Sequence, residues 1–193
     1  GRKGGAQINE LNPYFVDVLS NAPKYDVAAA KKMLAAAGQG KGMTVTMKVL
    51  NVPATRRTAE ILVAQLSEVG ITVKLEVMEA AQWLDVVFKN KNYDLTIISH
   101  PEPWAILNYT DPNYFYQYDS EKFRNLIKAG EASTDENILR RNLAAAQRQL
   151  FDDAPVVWMY AMPHVGVVRS GLQNTRVNLP VPSYPVAEMS WGK

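Results

Sequence analysis

Between residues 43 and 99 the spacing of hydrophobic positions switches repeatedly between two and about 3.6 residues. "MTVTMKVL" (43–50) alternates, placing Met43, Val45, Met47 and Val49 on one face of a strand. In "ATRRTAEILVAQLSEVG" the apolar residues Ala59, Leu62, Leu66 and Val69 recur at helical spacing, and Gly70 ends the pattern. "ITVKLEVM" (71–78) alternates again, with Ile71, Val73, Leu75 and Val77 inward. A second amphipathic helix, "EAAQWLDVVFKN", carries Trp83, Leu84, Val87 and Phe88, and "YDLTIIS" supplies a third strand. The length of the first strand–helix–strand unit suits a right-handed parallel crossover. The βαβαβ order predicts an α/β fold with an open sheet and flanking helices. Ligands of such sheets bind beyond the carboxyl ends of the strands. The stretch that follows the third strand, "SHPEPW" (99–104), is therefore a site candidate by position. Its two prolines remove backbone donors, stop the sheet and stiffen the loop around Glu102 and Trp104.

The flanking segments are of three kinds. Residues 1–25 are rich in Gly, Asn and Pro without a sustained period and predict extended connecting chain. "YDVAAAKKMLAAAG" predicts a helix, with Asp26 as N-cap and Gly38 at the left-handed C-terminal position. Its alanine-rich face is thin, so it should lie flat on its neighbour. Downstream, Asp119-Ser120 can cap a helix that turns Phe123, Leu126 and Ile127 inward. A long helix starting near Thr134 follows, with Ile138, Leu139, Leu143, Ala146 and Leu150 on one face and Asp152-Asp153-Ala154-Pro155 at its end. "VVWMYAMPHVGVVRS" reads as a strand broken at Pro163, and the tail has three prolines and no period.

Composition narrows the chemistry. The 193 residues carry a net charge of +2, and Lys31-Lys32, Arg56-Arg57 and Arg140-Arg141 are isolated pairs, so no nucleic-acid partner is expected. Absence of cysteine excludes disulfides, thiolate metal sites and thiol catalysis, and is compatible with export from a bacterial cell. No apolar run approaches the roughly 20 residues of a membrane helix. The chain begins at Gly1 and its first methionine is Met33, so it reads as a processed product or an expressed piece.

His100 and Glu102 invite a metal reading, but a site needs three or four ligands and the only other histidine is His164. No metal or cofactor is expected. Ser99, His100 and Asp94 are neighbours along one strand and cannot converge as a catalytic set. G-x-S-x-G, P-loop and G-x-G-x-x-G motifs are absent. Trp104, with Tyr109, Tyr114, Tyr116 and Tyr118, is either loop packing over the core or a platform for a partly apolar ligand. Glu102 beside such rings would anchor a cationic group. Asn51-Val52-Pro53-Ala54, at the other strand-to-helix corner, is a second contact candidate, with a helix N-terminus suited to an anion.

The segments "YDVAAAKKMLAAAG", "RTAEILVAQLSEVGITVKLEVMEAAQW", "NYDLTIISH", "DPNYFYQYDSEKFRNLIKAG" and "RRNLAAAQRQLFDDAPVVWMY" occur in an order that resembles the C-terminal lobe of the family 5 extracellular solute-binding proteins. These are the peptide, oligopeptide and nickel receptors of ABC importers. The resemblance covers the chain from about Tyr25 onward and implies one lobe of a type II periplasmic-binding-protein-like fold with an open mixed sheet. It implies a connecting or hinge segment at 1–25, a C-terminal ligand-binding lobe at 26–174, and a tail at 175–193 that packs on an N-terminal lobe. The second crossing between lobes would lie within Val165–Asn174. Implied partners are a peptide or other small molecule, that N-terminal lobe, and a membrane permease. The implied location is periplasmic, or extracellular and membrane-anchored in a Gram-positive host. Peptide receptors of this kind hold the ligand's terminal ammonium with an acid in this loop, and Glu102 matches it best, although here the aromatic follows the acid. His100, Trp104, Tyr109, Tyr114, Tyr116 and Asn51 complete the implied contacts, with no catalysis. The alternative is an α/β hydrolase or transferase using His100 with Glu102 or Asp94.

Overall fold

The computed structural model describes residues 2–4, 6–8, 10–100, 102–161, 165–176 and 184–192. They fall into two compact units: Ala22–Ser99 with Asn113–Gln117, and Gly1–Asn21 with His100–Pro112 and Tyr118–Lys193. The stretch 26–174, expected as one lobe, is distributed over both. The interruption expected at Pro163, and His164 beside it, lie outside the described residues.

The first unit carries the sheet. It runs α1 (Val27–Ala36), β1 (Met43–Leu50), α2 (Pro53–Glu68), β2 (Ile71–Met78), α3 (Ala80–Trp83, continuing as π-helical turns over Leu84–Lys89) and β3 (Leu95–Ile97). The expected βαβαβ order is present. β1 is central, pairing in parallel with β2 from Met43↔Ile71 to Leu50↔Met78 and with β3 from Met47↔Leu95 to Val49↔Ile97.

That central position changes the burial pattern. Instead of one buried face, Met47, Lys48 and Val49 are all buried, because both faces of a parallel sheet are covered. The buried lysine is partnered, with Nζ donating to Asn92 Oδ1 at 3.2 Å and lying 3.8 Å from Glu76 Oε2. β2 is an edge strand. Its Ile71, Val73 and Leu75 are half-buried as expected, but Val77 is 45% exposed and Met78 is buried in its place.

α1 and α2 begin and end as the sequence predicts. Asp26 Oδ1 accepts the Ala29 N–H at 2.8 Å, and Gly38 takes φ +78° after the last turn. α1 has no buried residue, consistent with its thin face. α2 opens with Pro53 in its first turn, where a missing N–H removes no helical bond. Gly70 leaves α2 at φ +88°, and a Cβ on Gly42 would stand 2.7 Å from the Gly70 carbonyl oxygen. Only glycine at position 42 lets β1 and β2 start side by side, where the Met43 N–H donates to Gly70 O at 3.2 Å.

The core at the far end of this sheet joins Met78, Trp83, Val87 and Phe115, the last returning on the short segment Asn113–Gln117. The Trp83 and Phe115 rings meet edge to face at 5.6 Å. Trp83 Nε1–H donates to Thr96 Oγ1 at 3.1 Å, and that hydroxyl donates to Lys48 O at 2.7 Å, locking α3 onto β1 and β3. Leu84 and Phe88 are exposed, contrary to the regular helix expected. The wider π turns, as in the Asn90 N–H donated to Asp85 O at 3.0 Å, keep Trp83 and Val87 on the core line and rotate their neighbours outward.

The second unit is built on α4 (Glu121–Glu131) and α5 (Glu136–Asp153), packed against each other. Ser120 and Asp135 cap them, accepting from the Phe123 and Asn137 N–H groups at 3.3 and 2.8 Å. Phe123, Ile127, Leu143, Ala146 and Leu150 are buried, which is the face the helical spacing predicts. Two short antiparallel ladders belong to this unit, Arg2–Lys3 with Tyr160–Ala161 and Leu172–Gln173 with Ser190–Trp191. Among the described residues the open sheet of three strands is parallel, and the antiparallel pairs form separate ladders. The tail residue Glu188 accepts from Arg176 Nη2 at 2.6 Å and from Asn174 Nδ2, through its carbonyl, at 3.0 Å.

Candidate functional site

β3 is shorter than the sequence pattern suggests. It ends at Ile97, and the chain leaves it before Ser99. Asp94, which precedes it, is part of the sheet: its Oδ2 accepts the Thr46 N–H at 2.7 Å and its own N–H donates to Thr46 O at 3.2 Å.

The loop that follows belongs to the helical unit and is held by a short 3-10 helix over Ala105–Thr110. The Ala105 N–H donates to Glu102 O at 3.2 Å and the Leu107 N–H to Trp104 O at 2.9 Å, so the turn starts on the residues of interest themselves. Ala105, Ile106 and Tyr109 fall on one side of this turn and are buried. Tyr109 is only 1% exposed. Its ring meets Tyr118 at 5.9 Å and Phe123 at 6.2 Å, and its hydroxyl donates to Gln7 Oε1 at 3.0 Å, an oxygen that also accepts from Trp158 Nε1 at 3.1 Å. Tyr109 therefore offers no open ring; it is the anchor that fixes the loop. Tyr118 is likewise structural. Its hydroxyl donates to Asp153 Oδ2 at 2.6 Å, and desolvation, reinforced by that carboxylate, pushes its pKa up to about 12.

With one side of the turn buried, its start is left facing solvent. The Glu102 side chain is 59% exposed, and Trp104 is 45% exposed. His100 Nδ1 lies 3.3 Å from Glu102 Oε2. Both residues lie beyond the end of β3, so this is a contact within the loop. A pair alone does not make a metal site, and among the described residues no three His, Asp or Glu side chains gather to hold an ion.

The remaining candidates lie on the sheet unit. Asn51 stands at the carboxyl edge of the parallel sheet, where its N–H donates to Met78 O at 2.8 Å. Its side chain bridges two charged groups, with Nδ2 donating to Glu79 Oε1 at 2.7 Å and Oδ1 accepting from Arg56 Nη1 at 3.4 Å. The α2 N-terminus beside it has no side-chain cap. Tyr114 and Tyr116 are half-buried on either side of buried Phe115, with their rings 4.8 Å apart. The Tyr93 hydroxyl donates to the Phe115 carbonyl and holds this segment, and burial raises the Tyr93 pKa.

Two residues adjoining the loop escape a local reading of the sequence. Tyr14 lies 5.8 Å from Trp104 between ring centroids, and the Arg140 guanidinium sits 5.0 Å from the centre of the Tyr14 ring. They are 90 and 36 residues from Trp104 in sequence, so no spacing pattern could have paired them.

Solved structures share this architecture. The oligopeptide-binding protein AppA from Bacillus subtilis, in complex with a nonapeptide, matches with a TM-score of 0.80 at 17% identity, over 100% of this chain and 43% of its own. The dipeptide-binding protein from Pseudoalteromonas sp. SM9913, in complex with Met-Leu, gives 0.76 at 18% identity over 98% and 40%. AgaA from A. tumefacien R10, in complex with agropinic acid, gives 0.72 at 21% identity over 82% and 35%. The chain thus spans about two-fifths or less of these proteins, and the fold is that of part of a periplasmic binding protein. Among curated proteins none matches. The sequence profile described as bacterial extracellular solute-binding proteins, family 5 Middle, matches residues 3–126, and the chain belongs to that family. The family is one of binding proteins, not catalysts, so the hydrolase or transferase alternative is set aside. Among the described residues no helix is long and apolar enough to cross a membrane.

Proposed function

We propose that this chain supplies a ligand-binding lobe of a peptide receptor serving an ABC importer, with Glu102 holding the ligand's terminal ammonium. The observation that carries this reading is the split character of the 99–110 loop. Ala105, Ile106 and Tyr109 are buried and fix it, while the Glu102 carboxylate and much of the Trp104 ring remain open to a partner. A carboxylate held in place beside an aromatic ring suits an ammonium group flanked by apolar side chains. His100 orients Glu102, and Trp104 supplies contact area. Tyr109 acts by anchoring the loop. Asn51, Tyr114 and Tyr116 are candidate ligand contacts of the sheet unit taken by itself. An N-terminal lobe completes the receptor, closure of the lobes buries the ligand, and a membrane permease receives the closed form. The receptor works in the periplasm, or outside the cell on a membrane anchor in a Gram-positive host.

The test is a tryptophan-fluorescence titration of the complete receptor with short peptides, each with a free and an acetylated N-terminus. Free peptides should bind and acetylated ones should not. Glu102→Gln should weaken binding by about 2–5 kcal/mol, the cost of leaving one partner of a desolvated charge pair alone. Equal affinity for acetylated peptides would overturn the ammonium clamp. AgaA carries agropinic acid and MoaA mannopinic acid, so opine-like solutes are the second class to titrate.

A further inference from the structure

The backbone at Trp104 is fixed by the buried turn that follows it, but its ring is half open, and backbone anchoring does not choose a ring orientation. The Trp104 ring meets that of Tyr14, with centroids 5.8 Å apart and planes tilted by 46°. Offset and tilted pairs at this separation are attractive. Tyr14 is itself secured from α5. Arg140 stands over the Tyr14 ring at 5.0 Å, donates through Nη1 to the Pro13 carbonyl, and is steadied by Glu136 Oε1 at 2.7 Å from Nη2. Seven residues further along α5, two turns on and so on the same face, Gln147 takes hold of the same segment. Its Nε2 donates to Tyr14 O at 2.8 Å and its Oε1 accepts the Val16 N–H at 3.3 Å. The segment 13–16 is thus gripped at two points one above the other, and the aromatic side chain between them rests against Trp104.

We infer that Tyr14 and Arg140 are positioning residues that set the orientation of Trp104, the aromatic member of the proposed ligand site. The inference about ligand rests on the proposed function; the inference about ring orientation does not. Tyr14 does this with its ring face, so its hydroxyl is dispensable. Arg140 contributes a cation over that ring, weakly, because the pair is solvent-accessible.

The experiment isolates Trp104 from Trp83, Trp158 and Trp191 by subtraction. Emission is recorded for the protein and for its Trp104→Phe partner, in wild-type, Tyr14→Ala, Tyr14→Phe and Arg140→Gln backgrounds, under acrylamide titration. With Tyr14→Ala the quenching constant of Trp104 should rise, by up to the about twofold limit set by a residue that is 45% exposed with the stack in place. Tyr14→Phe should match wild type, and Arg140→Gln should fall between. Unchanged quenching in Tyr14→Ala, or an equal rise in Tyr14→Phe, overturns the inference. If Tyr14→Ala does not fold, Arg140→Gln decides: wild-type quenching there refutes a stack held from α5. Trialanine titrated into the complete receptor then reads the consequence for binding. Affinity should weaken about two- to tenfold in Tyr14→Ala and recover in Tyr14→Phe. If trialanine fails to bind even the wild-type receptor, the peptide reading fails while the quenching result still stands or falls by itself.

Discussion

Replacing Gln147 by methionine probes how the N-terminal segment is held to α5. Gln147 is 1% exposed, and its amide makes three contacts: to Tyr14 O at 2.8 Å, to Leu143 O at 3.2 Å and from Val16 N–H at 3.3 Å. Methionine has nearly the same length and fills the same space, so no cavity term enters. Leu143 O is also the acceptor for the helical N–H of residue 147, and it loses little. Tyr14 O and Val16 N–H lose their Gln147 partner, at about 1–3 kcal/mol per buried group. Both lie in a partly buried segment that water can approach, which favours about 1–1.5 kcal/mol for each. The expected loss is about 2–3 kcal/mol. For a chain of this size each kcal/mol shifts Tm by about 2–4 °C, so the midpoint should fall by about 4–12 °C. Urea unfolding followed by circular dichroism gives the energy, and hydrogen exchange at the Val16 amide shows whether the loss lies where expected. A loss below about 0.5 kcal/mol, the scatter of ordinary surface substitutions, would refute the idea that Gln147 clamps this segment.

Two further outcomes follow from the cores. Phe115→Ala should cost about 3–5 kcal/mol in urea unfolding, because the ring fills the space among Met78, Trp83 and Val87; a loss under 1 kcal/mol would mean that this cluster is not a core. The Tyr118–Asp153 pair should impose pH dependence at both extremes. Tyr118 ionises near 10 in the unfolded chain but only at about 12 in the fold, so its contribution is complete below pH 10 and lost as pH rises toward 12. Asp153 is held below its ordinary 3.8, first by the Tyr118 hydroxyl and then by Gln149, so its contribution is complete above that value and lost in stronger acid. Thermal midpoints of Tyr118→Phe should be flatter against pH on both limbs, and unchanged slopes would exclude the pair as their source.

What the sequence disclosed follows the range of the forces involved. Gly38, Gly70, Asp26 and Ser120 act within a few residues, and the structure uses each of them where the local pattern implies. The period of α2, α4 and α5 likewise records a single buried face. Features set by distant partners were not legible. The two-sided burial at Met47–Val49 depends on β1 being central, which alternation within one strand cannot reveal. The burial of Tyr109 depends on Gln7, Tyr118 and Phe123, and by composition its ring is indistinguishable from those of Tyr114 and Tyr116. The end of β3 at Ile97, earlier than the apolar run "TIIS" suggests, falls where its pairing with β1 stops at Val49. Segment 13–16 lacks a period because it borrows its order from α5 through Gln147 and Arg140.

The place of Phe115 in the sheet unit has a consequence for synthesis. Residues 22–99 of that unit leave the ribosome before it, yet Met78, Trp83 and Val87 need its ring to close their core. Sixteen residues separate Ser99 from Phe115. At about 5–20 residues per second, the nascent sheet carries an open apolar end for roughly one to three seconds. During that interval it is a ready target for chaperones.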